Sequence, residues 1–243
     1  MTLRTHRFRL TLLATLVLFA ATWTGAAPAH SVTPAVVKPT QKLAALLSAH
    51  KAFSKPAQDS APLGLVQARG PLTGERTVLP VLGHRTGADG LRWLHVRLPG
   101  RPNGRLGWIR QRATVTSTTS WRIVVETSRR RVIVYRNGRP VRIVKAVVGK
   151  PSTPTPLGKF FIEEVLRLRA RDAGAPFAFA LSARSNVLQE FAGGPGQIGL
   201  HGLMNIGGVL GSATSHGCVR VDNATMRWLV VRIGPGVPVT IKS

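Results

Sequence analysis

Cysteine is almost absent from this chain of 243 residues, which holds a single thiol at Cys218. One cysteine forms no disulfide within its own chain, and it leaves zinc-finger spacing without its paired thiolates. Acidic residues are scarce as well. Nine Asp and Glu stand against 34 Lys and Arg, a formal net charge of +25, and a surface of that sign seeks an anionic partner. Aromatic residues make up 6% of the chain. No basic helix and no interleaving of aromatic with basic residues marks a reader of bases, so the sequence implies no nucleic-acid partner. A long hydrophobic run is also missing. The apolar stretch that starts at Leu10 ends near Trp23, well short of the roughly 20 residues that cross a bilayer comfortably. Strands and helices do not alternate as they would in a parallel α/β fold.

What the chain does contain begins with a leader. Arg4, Arg7 and Arg9 precede the apolar run, and Ala27-Pro28-Ala29 supplies small residues at a cleavage site. Residues 1–29 read as a signal peptide cut after Ala29, with an uncleaved anchor as the alternative. The protein is then exported, where thiols usually pair. A lone cysteine in that setting is either buried and inert or free because it is used.

Residues 30–60 mix Pro34, Pro39 and Pro56 with Ala, Ser and Lys. They read as a linker in which Leu43, Leu46, Leu47 and His50 have the spacing of one short helix. From 61 to 116, short β-type runs (RTVLPVLG, RWLHVRLPG, GRLGWIRQR) are cut by turns at Gly87–Gly90 and Pro99–Gly104. Their size fits a small five-stranded barrel, and the spacing of Trp93, Leu94, Val96 and Leu98 ahead of Gly107, Trp108 and Ile109 resembles bacterial SH3-like domains. An irregular β extension packed on the main domain is the alternative.

A second β region occupies 119–243. Asn137-Gly138 has the chemistry of a type I′ turn, which pairs Arg131–Arg136 with the strand that follows. GKFFIEEV and FAFALSA supply further strands. KPSTPTPLG is an irregular loop, since its prolines lack the donors of a central strand. Asp222 or Asn223 caps a short helix through about Val231, and VPVTIKS forms a last strand. The fold class is mainly β, with one short C-terminal helix.

Cys218 lies in the stretch from Gly199 to Asn223, GLHGLMNIGGVLGSATSHGCVRVDN. A cysteine nucleophile needs a base and donors for the oxyanion it creates. His216 is two residues away, on the same face of an extended segment. His201 is able to return through a glycine-rich loop. Sequence proximity favours His216, and the residues alone do not choose between the two. Gly217 lets the backbone bend beside the thiol, so the amides near Gly217 and Cys218 are candidate oxyanion donors. A metal site of His201, His216, Cys218 and Asp222 is the competing arrangement, but His-x-Cys is a poor match to zinc spacing. A papain-type order is excluded, because there the cysteine precedes the histidine.

His201-Gly202, a loop of twelve residues, and then Ser215-His216-Gly217-Cys218-Val219-Arg220 together resemble the signature of the L,D-transpeptidase catalytic domain, or YkuD domain. The hairpin after Trp121, the TPTPLGKF segment at 153–160 and the closing helix and strand share that resemblance. It implies a β-sandwich-like catalytic domain in which Cys218 is the nucleophile and His201 the base. The Gly202 carbonyl would orient the imidazole, Ser215 and His216 would shape the site, and the amides from His216 to Cys218 would hold the oxyanion. Many members carry Asn where Arg220 stands, and Arg220 is a candidate partner for a substrate carboxylate. The implied substrates are peptidoglycan stem peptides. A thioester would form as D-Ala leaves, and an amine of another stem would resolve it into a 3-3 cross-link, with no cofactor or metal. Anionic wall polymers are a further implied partner. The alternatives are a wall-binding protein acting through its SH3-like region, and a cysteine carboxypeptidase or endopeptidase on the same stems.

Overall fold

The computed structural model describes residues 1, 2, 37–191 and 193–243, so the expected leader beyond residue 2 and its expected cleavage site lie outside the described residues. Among those residues no helix is long and apolar enough to cross a membrane. Strands β1 (Gln41–Leu46), β2 (His50–Phe53), β3 (Pro62–Val66), β4 (Val78–Thr86), β5 (Arg92–Arg97), β6 (Leu106–Arg110) and β7 (Thr114–Thr119) form one sheet in the order β3-β2-β6-β5-β4-β1-β7. Two expectations are corrected here. Residues 41–53 are strands and not a tether with a helix, because β1 is hydrogen-bonded on both edges, to β4 and β7. Tertiary pairing overrides the weak helical spacing of its leucines. The region accordingly holds seven strands starting at Gln41, in place of a five-stranded barrel starting near 61. The turn at Gly87–Gly90 falls where its glycines placed it, with Gly90 at φ +72°.

The second region comprises β8 (Trp121–Glu126), β9 (Arg131–Arg136), β10 (Arg139–Lys145), β11 (Val148–Gly149), β12 (Gly158–Arg167), β13 (Phe177–Arg184), β14 (Gln197–His201), β15 (Ala213–Ser215), β16 (Val219–Arg220), α1 (Asn223–Val230) and β17 (Pro238–Lys242). Eight of the strands make a mixed sheet in the order β10-β9-β8-β17-β12-β13-β14-β16, while β11 and β15 pair separately. Asn137 and Gly138 take φ values of +51° and +76°, as a type I′ hairpin requires. Asp222 caps α1 by accepting from the Thr225 amide at 2.8 Å, and Met226 and Leu229 face the core. The fold is mainly β with one helix.

Alternation along β12 ties the two regions together. Successive side chains of a strand point to opposite faces. Phe160 therefore enters the core of the second sheet, and Phe161 enters the core formed by Ala44, Leu46, Leu79, Val96 and Ile109. Burial of each ring contributes about 1.5–3 kcal/mol. Glu164, also on β12, accepts from the Thr73 amide at 2.7 Å and the Thr73 hydroxyl at 2.8 Å. The first sheet is thus docked on the strand that leads toward the site.

Candidate active site

Register places the reactive groups. β14 and β16 run parallel with Leu200 opposite Val219 and His201 opposite Arg220, so Gly199 and Cys218 are the next positions back. Alternation then puts Cys218, His201 and Arg220 on one face. Gly199 stands between thiol and imidazole. A Cβ on Gly199 would lie 3.4 Å from His201 Cδ2 and 3.8 Å from Cys218 Sγ, and its own amide donates to Sγ at 3.3 Å. A larger side chain there would crowd both groups.

His201 is buried and anchored. Its Nδ1 lies 2.8 Å from the Gly202 carbonyl, which only accepts, so Nδ1 carries the proton and Nε2 is left as the acceptor of the neutral ring. Burial lowers the imidazole pKa, the Gly202 bond opposes that shift, and the Arg220 charge adds to it. The half-buried Cys218 thiol is pushed upward by burial, against the Gly199 amide and Arg220, which favour the thiolate. Both shifts favour the uncharged forms, and an imidazole with a free Nε2 is able to take a proton from a thiol as it attacks.

The loop that carries Cys218 is held by hydroxyls. Ser215, fully buried, accepts from the Gly217 amide at 3.1 Å and donates to the Cys218 carbonyl at 2.6 Å. This corrects the role expected for the Gly217 amide, which is engaged by Ser215 and not free for an oxyanion. The amides of His216 and Cys218 have no acceptor among the described residues. Gly217 serves conformation instead, at φ +119°.

His216, the histidine nearer to Cys218 in the chain, lies at the surface. It stacks on Phe191, with ring centroids 5.6 Å apart. Asp222 is engaged at the start of α1. Among the described residues no three His, Cys, Asp or Glu side chains converge as metal ligands. Arg220 is buried, donates from Nη1 to the Gly207 carbonyl at 3.2 Å, and keeps its Nε without a partner among the described residues.

Three supports were not read from the sequence as such. Thr155 Oγ1 donates to the Gly217 carbonyl at 2.8 Å and accepts from the Gly149 amide at 2.9 Å. Thr153 Oγ1 reaches the Ser215 carbonyl at 3.3 Å. Gly174 packs so tightly on His201 that a Cβ there would clash with Nδ1. TPTPLG carried a visible signal as a proline-rich loop, but Gly174 carried none.

A mainly β domain that presents a thiol and an imidazole on neighbouring parallel strands belongs to the class of cysteine-histidine enzymes. Comparison with known proteins narrows the class. The model of the YkuD family, the L,D-transpeptidase catalytic domain, matches residues 120–241, and the chain belongs to this family. It is 28% identical over 120 residues to L,D-transpeptidase 1 of Mycobacterium tuberculosis, covering 44% of this chain and 45% of that protein. It is 30% identical over 125 residues to the putative L,D-transpeptidase YkuD of Bacillus subtilis, covering 51% and 67%. The chain thus spans less than half the length of the first of these relatives. A crystal structure of L,D-transpeptidase 3 from Mycobacterium tuberculosis with a faropenem-derived adduct aligns with a TM-score of 0.45 at 14% identity, covering 69% of this chain and 91% of that one.

Proposed function

We propose that the protein is an exported L,D-transpeptidase that joins peptidoglycan stems. The observation that carries this reading is the placement of His201 and Cys218 on one face of β14 and β16, on either side of Gly199. Sγ attacks the carbonyl of the third residue of a tetrapeptide stem while its proton passes to His201 Nε2. The amides of His216 and Cys218 hold the oxyanion. Collapse breaks the bond to D-Ala, whose amine takes the proton from His201, and a thioester remains. A side-chain amine of a second stem attacks that thioester, gives its proton through His201, and releases the thiol as a 3-3 cross-link forms.

Arg220, buried on the same face as the thiol and with its Nε unpartnered among the described residues, is the candidate partner for a stem carboxylate. The leader and the net charge of +25 support a location at the anionic wall. Ser215 and Gly202 act through the atoms they hold, and His216 contributes at the rim.

Intact-mass measurement with a tetrapeptide stem tests the reading. The wild type should gain the mass of the tripeptide acyl group and release D-Ala. Cys218→Ala should show no adduct, and His201→Ala should acylate about 100- to 10,000-fold more slowly. Because burial holds the imidazole below its ordinary range, acylation should persist at a pH where an exposed histidine is already protonated. A wild type that never acylates, or His216→Ala and His201→Ala variants equally inactive while folded, would overturn the assignment. Release of free tripeptide without a cross-linked dimer would make the enzyme a carboxypeptidase.

A further inference from the structure

The segment between β13 and β14, described over residues 185–191 and 193–196, folds back on itself beside the loop that carries Cys218. Ser185 Oγ accepts from the amides of Val187 and Leu188 at 3.2 and 2.9 Å. The Ser185 amide donates to the Gly196 carbonyl at 2.8 Å. Near its tip Phe191 pairs with Gly194 through two backbone bonds of 2.9 and 3.0 Å. The Phe191 ring, 47% exposed, stacks on His216, two residues before Cys218. An exposed aromatic pair beside a reactive thiol supplies contact area for a substrate.

This segment is held from the first sheet. Arg101, in the loop between β5 and β6, donates from Nη1 to the Pro195 carbonyl at 2.7 Å, and from Nη2 to the Ser185 and Leu188 carbonyls at 2.7 and 3.2 Å. One guanidinium thus joins both ends of the segment. Asn103 completes the edge of β13 as a strand partner would. Its Oδ1 accepts from the Arg184 amide at 2.8 Å, and its Nδ2 donates to the Arg184 carbonyl at 2.7 Å and to Asn186 Oδ1 at 3.0 Å. No carboxylate is bound by Arg101 in the structure's ion pairs among the described residues. Its charge is directed wholly at backbone carbonyls, where charge-assisted bonds are strong.

We propose that Arg101 and Asn103 are positioning residues for the active site: the first sheet fixes segment 185–196, and with it the Phe191–His216 face against which a peptide substrate is held. Neither residue touches the reacting atoms. The kinetic part rests on the stem-peptide reading above, whereas the structural part does not.

The test combines hydrogen exchange, steady-state kinetics and alkylation of Cys218 by iodoacetamide on the full chain. In Arg101→Ala, amides of 186–191 should exchange at least about 10-fold faster while those of 198–201 keep their protection. KM for a tetrapeptide stem should rise about 5- to 10-fold with kcat and the alkylation rate within about twofold of wild type, the mark of lost binding common to ground and transition states. Arg101→Lys should not restore KM, because a single ammonium cannot span three carbonyls as the planar fork does. Phe191→Ala should raise KM similarly, and adding it to Arg101→Ala should produce no further rise, as expected of two changes in one unit. Unchanged exchange in 186–191, full rescue by lysine, or additive KM effects would each overturn the proposal. Should the stem fail as a substrate of the wild type, the exchange result alone still decides whether Arg101 fixes the segment.

Discussion

The two sheets differ in what they bury. The first has a core that is aliphatic apart from Phe161, with Phe53 and Trp93 also buried, and a single buried polar residue, His50, whose ring nitrogens meet the carbonyls of Ser48 and Arg112 at 2.8 and 2.9 Å. Every other buried polar or charged residue of the described chain falls within 120–243: Glu126, Thr153, Thr155, Glu164, Ser182, Arg184, Ser185, His201, Ser215, Arg220 and Thr225. A buried polar group left unbonded costs about 1–3 kcal/mol. Such groups are tolerated where their hydrogen bonds fix geometry, and here Thr153, Thr155 and Ser215 all bond to the turn that carries Cys218. The comparison separates a sheet that supplies burial and a docking surface from one whose interior polar bonds shape a reactive centre.

Phe161→Ala tests that division most severely. The ring is 1% exposed and belongs to the core of the first sheet although its backbone lies in the second. Truncation should cost about 3–5 kcal/mol. Denaturant unfolding followed by tryptophan fluorescence and by Cys218 accessibility should then separate into two transitions, the first sheet melting first. If both probes still move together with an unchanged midpoint, the two regions are not distinct in stability. A smaller change sharpens the site half of the comparison. Thr155→Val removes the donor to the Gly217 carbonyl and the acceptor of the Gly149 amide, and should cost about 1–3 kcal/mol. The acylation rate should fall as well. Leu98→Ala, in the first core, should match or exceed that stability loss and leave the rate of acylation of the folded protein unchanged.

The legible parts of the molecule were those with local rules. Asn137-Gly138 announced its hairpin and Asp222 or Asn223 its cap, because turn and cap chemistry act within a few residues, and the motif from His201 through Ser215–Cys218 marked the candidate site. What stayed hidden depends on partners distant in sequence. The segment of Leu43, Leu46 and Leu47 offered weak helical spacing, and only β4 and β7 on either side make it a strand. The preference for His201 over His216 came from family resemblance, and the register of β14 against β16, which sets His201 on the face of Cys218, was not visible in the sequence. Gly174 gave no signal because its constraint is the ring of His201, 27 positions later in the chain. Arg101 looked like any other of the 34 lysines and arginines of the chain.

The smallest effects compare ion pairs in the two regions. Glu126, on β8, is 5% exposed and takes Arg131, Lys242 and Arg129 as partners. Burial acts to raise its carboxyl pKa, but the bonds and charges of Arg131 and Lys242 outweigh that and hold it below the ordinary glutamate value. A carboxylate whose pKa is lowered by folding stabilises the protein fully above its unfolded pKa, and that contribution is lost as pH falls through the folded value. Glu126→Gln should therefore cost about 1–2 kcal/mol at pH 7, and the gap between variant and wild type should close on acidification below the ordinary glutamate range of about 4.3. In the first sheet the Arg110–Asp89 bridge, 3.2 Å long, has side chains 27% and 32% exposed. Water screens it, and Asp89→Asn should shift stability by no more than about 0.5 kcal/mol. Thermal melts of both variants from pH 7 to pH 3 decide the matter: equal losses for the two, or a Glu126→Gln gap that widens in acid, would mean that polar burial in the second sheet carries no special weight.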